Sequence, residues 1–225
     1  MKETGIMMTG NHPQLILDGV KTMTRRTYGL EVVNQFPNDW QFVRMEGNLA
    51  VFLLLKKHSG NIVPAQSRSR EIRGEEPNLE FLFKCPYGQV GDRLWVRESF
   101  KYIDFNLLDM GELHPRVKVE YRTDGTQAWV QGDYKTQITI PDKWRPSIHM
   151  PRWASRILRE ITALRPERLQ EITNDDAKAE GVIPMSCCLP EAYHYITPFK
   201  ELWDPLNAKR GYSWESNPWD WVIGW

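Results

Sequence analysis

The chain has 225 residues, with 29 Lys and Arg against 29 Asp and Glu, a formal net charge of zero and 41% hydrophobic residues. That length buries a sizeable core. The balanced charge excludes a whole-molecule attraction to nucleic acid or membrane, so any anion site must come from local clustering.

Ten Trp and fifteen Pro point to a strand-and-loop protein with aromatic clusters rather than a helical bundle. The longest apolar run, residues 49–55, is too short to span a bilayer, and the N-terminus carries no secretory pattern. Three Cys, two of them adjacent (Cys187, Cys188), form no CxxC pair, and the five His are scattered. The expectation is a reduced, cytoplasmic protein with no metal and no cofactor.

Pro13 opens a short helix, with Leu15 and Ile16 as its apolar face and Gly19 as its stop. Residues 21–26 then leave it as extended backbone. In a regular strand Lys21 and Thr24 face opposite sides, so they share a site only across a bend or bulge. Residues 41–45 and 49–56 predict two strands around Glu46-Gly47-Asn48. The polar stretch 59–78, with Ser67-Arg68-Ser69-Arg70 and Arg73-Gly74-Glu75-Glu76, reads as a solvated surface excursion.

Turn chemistry from Pro86 to Asp92 feeds a predicted strand over 93–100, where Leu94 and Val96 alternate with Trp95 and Arg97. Further short strands are predicted at 117–122, 128–130 and 137–140, separated by Asp124-Gly125 and Gly132-Asp133. Pro151 opens a single turn before a strand over 156–164. Thr173-Asn174-Asp175-Asp176 resembles a capping box and starts a helix that ends at Gly181. Pro198 opens another, with Phe199, Leu202 and Trp203 on one face, stopped by Asp204-Pro205. A terminal strand over 219–225 closes the chain. Many short strands and few short helices predict an α+β fold built as a β-rich barrel, in one domain over 1–225 with an excursion around 30–84.

Three groups carry candidate chemistry. Gly19-x-Lys21-x-x-Thr24-Arg25-Arg26 sets a lysine, a hydroxyl and two anion clamps after a helix stop; a surface strand of solvated cations is the plainer alternative. Arg25 and Arg26 would press the Lys21 pKa downward, as a base needs. Glu180 sits at the negative end of the helix that Thr173 caps, where a carboxylate is disfavoured as the charged form and suits a general acid. The third group is the basic stretch of Arg145, Arg152, Arg156, Arg159, Arg165 and Arg168, interleaved with Trp144, Trp153 and His149. With Trp95, Arg97 and Glu98 it suits phosphate contact and base stacking, or else a strand with an exposed basic face.

Four stretches together resemble the ASCH domain family of the PUA-like superfamily, above all its longer phage and prophage members. They are Gly19-Val20-Lys21-Thr22-Met23-Thr24-Arg25-Arg26, Gly91-Asp92-Arg93-Leu94-Trp95-Val96-Arg97-Glu98, the run from Arg145 to Arg156, and Asn217-Pro218-Trp219-Asp220-Trp221-Val222-Ile223. The resemblance implies a small β-barrel flanked by helices, with the first signature as the floor of a cleft that binds RNA or nucleotides. One small bacterial branch is an amidohydrolase that deacetylates acetylcytidine. By that resemblance Lys21 would accept a proton, Thr24 would attack the amide carbonyl and Glu180 would protonate the leaving amine. Arg25, Arg26, Trp95, Arg97, Glu98, Arg152, Trp153 and Arg156 would contact the ligand. This chain is about twice the length of that branch. A purely binding domain, a ribonuclease and a phage structural protein are the alternative expectations.

Overall fold

The computed structural model describes residues 1–55, 70–73, 80–106, 116–132, 143–184 and 194–225. The fold is α+β, with small sheets and few helices, as expected. Every sheet is open, and no barrel closes among the described residues. The chain divides into two compact units, one of Met1–Gly19 with Asp92–Glu160, the other of Val20–Gly91 with Ile161–Trp225. Among the described residues no helix is long and apolar enough to cross a membrane.

The first unit holds two three-stranded sheets. In one, β1 (Glu3–Met7) runs parallel to β7 (Arg93–Arg97), which pairs antiparallel with β11 (Leu158–Glu160). In the other, β9 (Arg116–Tyr121) lies between β8 (Phe100–Asn106) and β10 (Gln127–Gln131). Alternate residues Val117, Val119 and Tyr121 turn inward onto Phe100, Tyr102, Met150 and Ala154, a core that follows from the two-residue period of β9. Helix α1 (His12–Leu17) carries Pro13 in its first turn and is followed by Gly19 at φ +71°. That left-handed conformation suits glycine, so the predicted stop is observed.

The second unit holds the four-stranded sheet β3-β4-β6-β5, formed by β3 (Trp40–Glu46), β4 (Leu49–Leu54), β5 (Arg70–Arg73) and β6 (Glu80–Lys84). Trp40 meets Phe81 and Phe83 edge-on, and Phe52 meets Trp219 the same way at 5.0 Å. A smaller sheet places β13 (Trp219–Gly224) between β12 (Ala163–Arg168) and β2 (Met23–Arg26). All six residues of β13 are buried.

Helix α2 (Asn174–Ala179) is capped by Thr173, whose hydroxyl accepts from the Asp176 N–H while Asp176 reaches back to the Thr173 N–H. Gly181 follows at φ +81°. Helix α3 (Ile196–Asn207) buries Phe199 and Trp203 against Leu169, Ile172 and Ala177.

Three expectations are corrected. The strand predicted over 156–164 is two strands in different sheets, because β11 pairs with β7 and β12 with β13. The helix predicted from Pro198 begins at Ile196 and runs through Asp204-Pro205. A proline fits helical φ, and this one forfeits a single hydrogen bond near the end of the helix. Within the predicted excursion, Arg70–Arg73 pairs with β6 as a strand. The strand expected at 137–140, Asp133 and the Cys187-Cys188 pair lie outside the described residues.

Removing the α2 cap tests the account of that helix. Thr173→Ala should cost about 1 kcal/mol of stability in denaturant unfolding, and Thr173→Ser only a small fraction of that. Equal losses for both variants would show that the hydroxyl does not cap α2.

Candidate functional site

Strand pairing in the second unit fixes which side chains share a face. Glu167 stands opposite Asp220 and Arg165 opposite Val222, while Arg25 also pairs with Val222. The two-residue period therefore puts Arg25, Arg165, Glu167 and Asp220 on one face of the sheet. Helix α2 covers that face, because Asp176 reaches Arg25 at 3.5 Å and Arg165 at 3.7 Å. Arg25 also binds Asp220 at 3.2 Å and Glu167 at 3.2 Å, and Arg165 binds Glu167 at 2.9 Å.

One helical turn beyond Asp176, Glu180 meets Lys21. The Lys21 ammonium donates to the Glu180 carboxylate and, at 2.8 Å, to the Glu180 carbonyl. The Thr22 N–H donates to the Ala179 carbonyl at 2.8 Å, so main chain as well as side chain fastens the start of β2 to the end of α2. Lys21 is 1% exposed and Glu180 5%. The Glu180 carbonyl, at the C-cap of α2, supplies part of the cation's coordination, as a helix C-terminus favours.

Burial sets the protonation chemistry here. It is the largest influence on Lys21 and pulls its pKa below the usual lysine range. Glu180 opposes that shift and Arg26 adds to it. Burial also lifts the Asp220 carboxyl, fully enclosed in β13, to about 7; Arg25 resists, and Glu180 and Glu167 reinforce the rise. For Arg25 burial acts downward, but Asp220, Glu167, Glu180 and Asp176 together outweigh it, leaving its pKa raised. Among the described residues, Oδ2 of Asp220 and Nε of Arg25 have no hydrogen-bond partner, so the network is incompletely satisfied.

Thr24 is buried at 4% exposure and pairs with Ile223, on the opposite face of β2 from Arg25. The regular strand begins only at Met23, so strict alternation does not reach back to Lys21. Among the described residues no hydrogen bond joins the Thr24 hydroxyl to Lys21 or Glu180. Lys21 and Glu180 are brought together; Thr24 is not joined to them. Arg26, half-buried, pairs with Trp221.

The remaining candidates belong to the first unit, where they serve each other. Arg156 donates to buried Glu98 at 2.9 and 3.0 Å and to Asp124 at 2.8 and 3.0 Å, over the Tyr121 ring. These bonds hold the Asp124 carboxyl well below its usual range and raise the Arg156 pKa. Arg152 binds Glu3 at 2.6 Å, and Trp153 stacks on Tyr102 at 5.7 Å. Arg97 lies 4.5 Å over buried Trp95 and donates to the Ile148 carbonyl. The arginines and aromatic residues expected to contact a ligand thus bind one another and nearby carboxylates as internal ties.

Sequence reasoning missed Asp220. Its signal is a lone carboxylate inside the apolar run Trp219-Asp220-Trp221-Val222-Ile223, which demands a buried cation. Among the described residues no cluster of His, Cys, Asp or Glu is placed to hold a metal. In comparisons with protein-family models, curated proteins and solved structures, nothing matches the chain.

Two outcomes test the network. Because the folded Asp220 pKa lies above the ordinary carboxyl value of 3.8, the folded state holds the extra proton between that value and about 7. The Asp220 contribution to stability is therefore fully present below that window and is lost as pH rises through it. Thermal unfolding should show the wild type losing more stability than Asp220→Asn across the window; parallel curves would contradict the assignment. Arg25→Met strands Asp220 and Glu167 beside one another and should cost roughly 3–5 kcal/mol in denaturant unfolding. A loss below about 1 kcal/mol, typical of a surface pair, would contradict the buried network.

Proposed function

We propose that the chain is a nucleotide-binding protein of the ASCH type, with the PUA-like architecture that its sequence stretches resemble. In this reading Lys21 and Glu180 hydrolyse the amide of an acylated nucleobase such as acetylcytidine. The observation that carries it is the buried Lys21–Glu180 pair, assembled from residues 159 positions apart.

Passing one proton from the ammonium to the carboxylate gives a neutral amine beside a carboxylic acid. Burial favours that exchange at Lys21, since it removes charge from a buried site. The amine then takes a proton from an attacking water, and the resulting hydroxide adds to the amide carbonyl. The C–N bond breaks as the acid passes its proton to the leaving nitrogen. The ion pair is restored, and the sum is amide plus water to carboxylic acid plus amine. The family resemblance gives the attack to Thr24. Because Thr24 lies across β2 from Arg25 and is not bonded to Lys21, we assign the attack to water.

A second reading draws on the depth of burial. A lysine 1% exposed and doubly bonded to the end of α2 is also a clamp between α2 and β2 in a protein that only binds its ligand.

Release of cytidine from acetylcytidine, followed chromatographically, separates the readings. Lys21→Met and Glu180→Gln should each lower turnover about 100-fold or more, the range general acid–base groups supply. Thr24→Ala should stay within about tenfold of wild type. Loss of turnover in a folded Thr24→Ala variant would return the attack to Thr24. Absence of turnover in the wild type, with lowered stability in Lys21→Met, would leave the clamp.

A further inference from the structure

The first unit contains a cavity of about 360 Å³ that none of the groups above occupies. Its walls come from three places: the loop after β1, the start of β8 and the turn after β9. The backbone holds each of them. The Met8 N–H donates to the Arg97 carbonyl at 3.0 Å, continuing the parallel pairing, and the Arg122 N–H donates to the Ser99 carbonyl at 2.9 Å. Gly10 turns the first loop at φ +61°.

Thr9, Asn11, Ser99, Arg122 and Thr123 line the cavity. Among the described residues none of these five side chains makes a hydrogen bond or an ion pair within the protein. Asn11 stands at the N-cap position of α1 and still makes no cap bond. The Arg122 guanidinium meets only the ring of Trp144, 5.8 Å from its centroid. Elsewhere in this unit arginines are consumed: Arg156 by Glu98 and Asp124, Arg152 by Glu3. Asp124, two residues from Arg122, is engaged by both nitrogens of the Arg156 fork, leaving the Arg122 charge uncompensated.

A fork of guanidinium donors, three hydroxyls and an amide, lining one cavity without internal partners, match the oxygens of a phosphoryl group. The volume lies at the small end of ligand pockets, which suits a phosphorylated metabolite rather than a polymer. We infer that this cavity is a phosphate-binding site for a small phosphate monoester, with Arg122 as its principal contact. The inference does not rest on the amidohydrolase reading, because its readout is binding and not turnover.

Calorimetric titration of the full chain at low ionic strength, where an exposed charge is least screened, provides the test. Its arms are inorganic phosphate, ribose 5-phosphate and ribose, none of which carries the nucleobase that the Lys21–Glu180 reading requires. The expected result is saturable binding of the sugar phosphate and no binding of the free sugar. Arg122→Met, at an exposed position, should keep its melting temperature and lose at least about tenfold in affinity, as removal of a charge-assisted bond predicts. Equal affinity for phosphate and sugar phosphate would mean that the phosphoryl group alone is read, whereas tighter sugar phosphate binding would assign the ester. The proposal is overturned if neither phosphate species saturates, if ribose binds as tightly as ribose 5-phosphate, or if Arg122→Met binds unchanged.

Discussion

The second unit depends on keeping charge dry between β2, β13 and α2. Arg25 and Asp220 are enclosed, and Glu167 and Asp176 lie close beside them. Burial of that kind costs free energy, and ion pairing with good geometry only partly offsets it. Its structural return is placement. Asp176 fastens one turn of α2 to Arg25, Glu180 fastens the next to Lys21, and the Thr22 N–H joins the same helix end. Helix α2 is too short to be stable alone. Its capping box and these bonds to β2 hold it where Glu180 faces a lysine.

The same enclosure gives the pair its chemical interest. Lys21 is pulled toward neutrality by burial and held charged by Glu180. A small rearrangement of one proton therefore changes the state of both groups. A solvated pair offers no such balance, because water stabilises the charged forms and screens the interaction. The arginine-rich part of the first unit works differently. There Arg152, Arg156 and Arg97 are spent on carboxylates, a carbonyl and aromatic faces, and Arg122 is left to face a cavity.

Legibility in the sequence followed locality. The cap at Thr173 and the stops at Gly19 and Gly181 are local signals, and each appears where it was read. The terminal strand was legible because its apolar run is interrupted only by Asp220. The break between β11 and β12 was not, since the partners that divide it, β7 and β13, lie far along the chain and periodicity says nothing about them. Pro205 misled because proline ends helices on average, whereas here packing of Phe199 and Trp203 carries the helix past it. Lys21 and Glu180 were legible as residues; that they meet depends on the fold. Asp220 went unread because a strand pattern marks it as one residue among apolar neighbours, and only the register of β12, β13 and β2 shows the cation beside it. The open sheets could not be told from a closed barrel, because closure depends on pairings that strand patterns do not specify.

The most direct test of the central claim is titration of the Lys21 ammonium by heteronuclear NMR. The account predicts a pKa below the ordinary lysine value of 10.5, and a further fall in Glu180→Gln, where the group that holds the charge in place is gone. A Lys21 pKa at or above that value, or one unmoved by loss of the Glu180 carboxylate, would contradict the account.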